Sequence, residues 1–315
     1  MRQRLALLVL LCALSSSLSE GASISGVDYV QMTEAAQQLG CKAKLGPHGK
    51  IVQLVGGRVG VTLEVDSRKA EIGGASVLLS FPVAASRGVP MISELDLRTT
   101  LEPLVSPHPK RRTIKTICLD PGHGGKDTGK IDRRSLEKNY TLLLANEVAS
   151  LLRKAGLKVV MTRTRDKTLD LIQRPETARR AGADLFISLH YNAGPSEVHG
   201  LEVYCLTPAG ANSSNAGGGK SRSSRYAGNA NDDNNALLAY DLQKTIVRGT
   251  GLEDRGMKRA RFEVLREATM PAVLIEGGFM SNRGDASKIY DSAFRKRMAR
   301  AIVDGILSYK QLAGR

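Results

Sequence analysis

The apolar and polar positions change rhythm along the chain. Residues 5–14 are an apolar run behind Arg2 and Arg4, and a Ser-rich stretch follows, the pattern of an export signal over 1–22. That run is too short to span a bilayer comfortably, so removal of the segment is expected and no stable membrane anchor. Over 23–105 the apolar residues come in short β-type runs, 50–54, 59–65, 70–72 and 75–79, with Gly56-Gly57 and Gly73-Gly74 as turns. One helix-like stretch, 32–39, precedes them, and together they predict a small β-rich (α+β) module. The Pro-rich, basic residues 106–112 read as a linker.

From 113 to 312 longer apolar runs alternate with segments of helical period. Runs 117–120, 159–162, 185–190, 201–206 and 272–276 are apolar throughout, as strands buried on both faces are. Leu136, Tyr140, Leu143, Leu144, Val148, Leu151 and Leu152 recur at three- and four-residue steps and predict an amphipathic helix ending near Gly156. Segments 171–181, 236–248 and 293–312 predict further helices. The alternation implies an α/β domain, a mostly parallel twisted sheet with helices on both faces. Residues 208–235, rich in Gly, Ser and Asn, read as a flexible insertion too polar to bury.

Composition narrows the function classes. With 315 residues there is room for one large domain or two ordinary ones, and 42% hydrophobic content disfavours a disordered or polytopic membrane chain. The formal net charge of +15 attracts polyanions: nucleic acid, anionic membranes or anionic wall polymers. Nucleic-acid binding is disfavoured, because an export signal accompanies the charge, Trp is absent and no recognition motif occurs. Of the four cysteines, Cys12 leaves with the signal and three remain, so at most one disulfide forms.

Three predicted strands end in ionisable residues. His123 follows the first in Asp120-Pro-Gly-His-Gly-Gly, His190 ends the third, and Glu276 ends the last. Open α/β sheets bind ligands beyond the carboxyl ends of their strands, so these side chains aim at one crevice. Glu137, in the first turn of the following helix, points back toward the glycine loop. Taken alone, His123 fits a turn, His190 a hydrogen-bonded core, and Glu137 a complement to the helix dipole. Glu276 favours function even singly, because a carboxylate buried at the end of an apolar run is costly without a partner. Two His and two Glu in one cleft point to a metal site. Asp120 and Asn192 are candidates to hold the ligands' second nitrogens. Arg174, Lys258, Arg261 and above all Arg266 are candidates to bind substrate carboxylates.

The blocks Asp120-Pro-Gly-His-Gly-Gly, Glu137-Lys-Asn, Ser188-Leu-His-Tyr-Asn-Ala and Glu276-Gly-Gly-Phe-Met-Ser-Asn282 occur in one order over about 113–312. In this the chain resembles the zinc-dependent N-acetylmuramoyl-L-alanine amidases of the Amidase_3 type. The resemblance implies Zn2+ held by His123, Glu137 and His190, with Glu276 catalytic. It implies hydrolysis of the amide between muramic acid and the L-Ala of the peptidoglycan stem, in the periplasm or cell envelope. In some relatives a helix at the place of 208–235 blocks the site until a protein activator removes it. The N-terminal stretch loosely resembles the module named after copper amine oxidases, which also precedes wall enzymes; no copper is implied, since His48 stands alone. A non-catalytic wall-binding protein and a different zinc peptidase are the competing readings.

Overall fold

The computed structural model describes residues 21–107, 112–214 and 224–314. Residues 1–20 of the expected export signal, 108–111 of the linker and 215–223 of the insertion lie outside the described residues. Eleven strands form one sheet. The first five are β1 (Lys42–Leu45), β2 (Ile51–Val55), β3 (Val61–Glu64), β4 (Lys69–Ile72) and β5 (Ala75–Leu78). After them come β6 (Thr116–Pro121), β7 (Lys158–Met161), β8 (Leu185–Asn192), β9 (Leu201–Leu206), β10 (Asp254–Ala260) and β11 (Ala272–Phe279). Their lateral order is β7-β6-β8-β11-β9-β10-β5-β4-β3-β2-β1.

The sheet is mixed. β6 pairs in parallel with β7 and β8, β8 with β11, and β9 with β10, but β9 runs antiparallel to β11. Only residues 193–200 join β8 to β9, too few for the helical crossover that a parallel connection needs. β1 to β5 form an antiparallel meander, and β5 meets β10 in parallel at Val77 and Met257. The strands expected in a small module thus extend the same sheet. Their junction with the rest is hydrogen-bonded: Ser76 N donates to Asp254 Oδ2 at 2.7 Å, and Tyr240 Oη to the Ile72 carbonyl at 3.1 Å. The fully buried Arg259 donates to the Thr99 carbonyl at 2.5 Å and to Thr100 Oγ1 at 3.0 Å.

Strand alternation divides the two faces of the sheet. Ile117, Leu119, Ile187, Leu189, Val273 and Ile275 join the larger core, together with α1 (Glu137–Lys154), α3 (Asp232–Thr250) and α4 (Ser292–Ala313). Cys118, Phe186, Tyr204 and Leu274 belong to a smaller core that includes Ala178 of α2 (Gln173–Arg180). α1 carries Glu137 in its first turn and Arg153 and Lys154 in its last, matching the helix dipole. α3 stops at Gly251, whose φ of 67° is the left-handed helix-ending conformation. Among the described residues no helix is long and apolar enough to cross a membrane, and Cys41, Cys118 and Cys205 are free and buried.

The described part of 208–235 departs from the expected floppy loop. It contains a 3-10 turn at Ala227–Asn231, and α3 begins at Asp232, earlier than its apolar periodicity indicates. Asn229, Asn231, Asn234 and Asn235 are buried. Their amides are satisfied: Asn229 Nδ2 donates to the Thr207 carbonyl, Asn231 Nδ2 to that of Thr269, and Asn235 Oδ1 accepts from Ala272 N. Polar side chains bury readily when paired in this way. β10 also escaped the hydrophobic pattern, because Arg255, Lys258 and Arg259 interrupt its apolar positions.

Candidate metal centre

The loop after β6 carries His123 back over the sheet with φ 60°, a conformation rare outside glycine. Its neighbour Gly122 lies against His190 at the end of β8. A Cβ on Gly122 would stand 2.2 Å from His190 Cε1, so no other residue fits. α1 starts close by and points its first residue, Glu137, at both imidazoles. His123 Nε2 lies 3.0 Å from Glu137 Oε1, His190 Nδ1 lies 3.2 Å from the same oxygen, and the two nitrogens are 3.2 Å apart. Ligand atoms at about 2.0–2.1 Å from a tetrahedral ion sit about 3.3 Å from one another. The triangle therefore fits such an ion after a small expansion, and these three residues could together hold a metal. Glu137 is itself clamped, Oε1 by Tyr191 N at 3.0 Å and Oε2 by Lys130 N at 2.9 Å.

Glu276 on β11 is the lateral partner of His190 on β8 and of Glu202 on β9. The side chains of this row share one sheet face, and the cleft above it, about 450 Å³, is lined by His123, Glu137, His190 and Glu276. Glu276 Oε2 is shielded from solvent and has no hydrogen-bond partner. Burial, and then the charges of Glu137 and Glu202, hold its pKa well above the usual carboxylate range. Glu137 behaves oppositely: burial raises its pKa, but hydrogen bonds from His123 and His190 prevail and hold it far below. His123 is shifted up, because Glu137 and Asp127 outweigh the opposing effect of burial.

A family model described as N-acetylmuramoyl-L-alanine amidase matches residues 117–308, more than half of the chain. The chain belongs to this amidase family. AmiA of Salmonella typhimurium is 35% identical over 231 residues, covering 64% of this chain and 80% of AmiA. LytC of Bacillus subtilis is 35% identical over 196 residues, 62% of this chain but only 35% of LytC, so the likeness spans about a third of that relative. Among solved structures, the catalytic domain of CwlV from Bacillus (Paenibacillus) polymyxa var. colistinus matches with a TM-score of 0.53 and 34% identity, covering 63% of this chain and 99% of that domain. All four candidate site residues fall inside the family match, and β1 to β5 fall outside it.

The remaining candidates of this amidase-family chain are engaged with several different partners. Asp120 touches neither histidine: fully buried, it accepts from Thr162 Oγ1 at 2.6 Å, Arg174 Nη1 at 2.8 Å and Ser188 Oγ at 2.8 Å. Arg174 pairs with Asp120 while also lining the cleft, and its Nη2 ties down the His123 carbonyl at 3.0 Å. The carboxylate that holds a ligand is Asp127, whose Oδ2 lies 2.8 Å from His123 Nδ1. Its only sequence signal was the four-residue spacing from His123, which carries weight in a helix but not in a loop. Asn192 lines the cleft, and its Nδ2 donates to Glu202 at 3.0 Å. Arg266 stacks over Tyr226, 5.2 Å from the ring centre, and is not among the cleft-lining residues. Lys258 pairs with Glu202, and Arg261 Nη2 donates to the Ala211 carbonyl.

Proposed function

We propose that the chain is an exported, zinc-dependent N-acetylmuramoyl-L-alanine amidase that cleaves the amide joining muramic acid to L-Ala in peptidoglycan. The observation that carries this reading is the triangle of His123, Glu137 and His190 set laterally beside the unpartnered carboxyl of Glu276. Two imidazoles and one carboxylate are a ligand set of catalytic zinc sites, which leave a fourth position open. Zinc held there supplies Lewis acidity, polarising the scissile carbonyl and making water acidic near neutral pH. Asp127 fixes the ring of His123 so that Nε2 faces the triangle, and the two backbone amides on Glu137 keep its carboxylate aimed. Glu276 takes the proton of the attacking water and returns it to the departing nitrogen. Its Oε2 engages no other group, so the carboxyl is free to accept that proton and pass it on.

The chain's net charge of +15 favours an anionic cell wall as its working surface. Digestion of purified peptidoglycan followed by mass spectrometry tests the proposal. Stem peptides with a free L-Ala amino end should appear, vanish with a chelator and return with added zinc. Products that retain the lactyl amide, or lysis indifferent to chelation, would refute it.

A further inference from the structure

Beside Glu276, on the flank away from the histidines, two cations share one carboxylate. Glu202, 2% exposed, accepts from Arg255 Nε at 2.8 Å and Lys258 Nζ at 2.5 Å, and from Tyr204 Oη and Asn192 Nδ2. The cluster therefore carries one positive charge in excess. Both cations reach solvent, with side chains 28% and 18% exposed. Arg255 spends only Nε on Glu202, and its two terminal amino groups have no hydrogen-bond partner among the described residues. Its guanidinium is steadied over Phe279, 5.3 Å from the ring centre. Asn192 links the cluster to the cleft, being bonded to Glu202 and lining the pocket.

We infer that Arg255 and Lys258, preset by Glu202, form a subsite for a carboxylate on the leaving stem peptide. The inference rests on the amidase reading above, which puts the departing nitrogen at Glu276 and the carbonyl at the histidines. The peptide then runs from Glu276 on β11 across β9 toward β10, where Arg255 stands. Those strands are spaced by about 4.8 Å each, and two extended residues cover roughly 7 Å, so the second residue of the stem comes within reach of the arginine. A guanidinium with two free donors matches the two oxygens of a carboxylate, whereas a primary amide offers one acceptor and a mismatched donor.

Two muropeptides that differ only in whether the α-carboxylate of the second stem residue is free or amidated provide the test. The wild type should favour the free acid by about tenfold in kcat/KM, the size of one charge-assisted hydrogen bond. Arg255→Gln and Lys258→Met should reduce that ratio, with the loss carried by KM. Arg255→Lys keeps the ion pair to Glu202 but not the fork, and serves if Arg255→Gln does not fold. Equal use of both substrates by the wild type, or losses in the variants that are the same for both, would overturn the subsite. Cleavage of neither substrate would instead overturn the amidase reading. Calorimetry of Ala-γ-Glu against its amide would then still decide whether the cluster takes a carboxylate.

Discussion

Replacing Asp127 by Ala removes the carboxylate that orients a metal ligand and leaves the three ligands in place. Outer partners of this kind are typically worth about 10–100-fold in metal affinity. The Asp127 side chain is 57% exposed, so solvent screening puts the loss at the lower end, about tenfold or 1.4 kcal/mol. Stability should hardly change, because an exposed pair contributes about 0–1 kcal/mol. Asp120→Ala should do the reverse. It strips Arg174, itself 3% exposed, of its carboxylate and should cost about 3–5 kcal/mol of folding stability. Zinc affinity per folded molecule should stay near wild type, since Asp120 contacts neither histidine. Competition with a chromogenic chelator measures the first quantity and denaturant titration the second. An Asp127→Ala protein that binds zinc as tightly as wild type would refute the assignment, as would an Asp120→Ala protein that folds normally yet loses zinc.

Glu276→Gln should retain zinc by metal analysis but lose about 10²–10⁴ in turnover on peptidoglycan, the usual contribution of one proton-transfer group. Gly122→Ala drives a methyl into the His190 ring, so its zinc content should fall even where circular dichroism shows a folded chain. Asp241 on α3 is pushed up to about 6, chiefly by burial. The unfolded chain therefore releases this proton first, and stability should fall by about 3 kcal/mol as pH rises from about 4 through 6. Asp241→Asn should abolish that slope in urea unfolding measured across the same pH range. Arg259→Met should cost about 1–3 kcal/mol, because the buried Thr99 carbonyl loses its side-chain donor and the Thr100 hydroxyl one of its partners. Hydrogen exchange should rise at β10 and in the helical segment Leu97–Leu101 together, and a rise confined to one of them would count against that contact.

Local pattern is what the sequence made legible. Continuous apolar runs marked the strands that carry Asp120, His190 and Glu276, though each runs one to three residues further than its run indicated, and three- and four-residue steps marked α1 with Glu137 in its first turn. These depend on covalent neighbours and on period, so a single chain displays them. β10 stayed hidden, because its charged residues are paired with groups elsewhere in the chain: Lys258 with Glu202, and the buried Arg259 with Thr99. The buried asparagines at 229–235 read as loop for the same reason.

The sequence by itself determined which side chains could grip a metal, since His, Glu and His followed by Glu276 stand in order at strand and helix ends. Only the tertiary structure decided their supports and surroundings. Asp127 rather than Asp120 meets His123, and Glu202 with its two cations lies next to Glu276. β1 to β5 continue the sheet that carries the site. Lateral strand order and loop curvature arise from contacts between residues far apart in the chain, and their free energy leaves no periodic mark on the segments that make them.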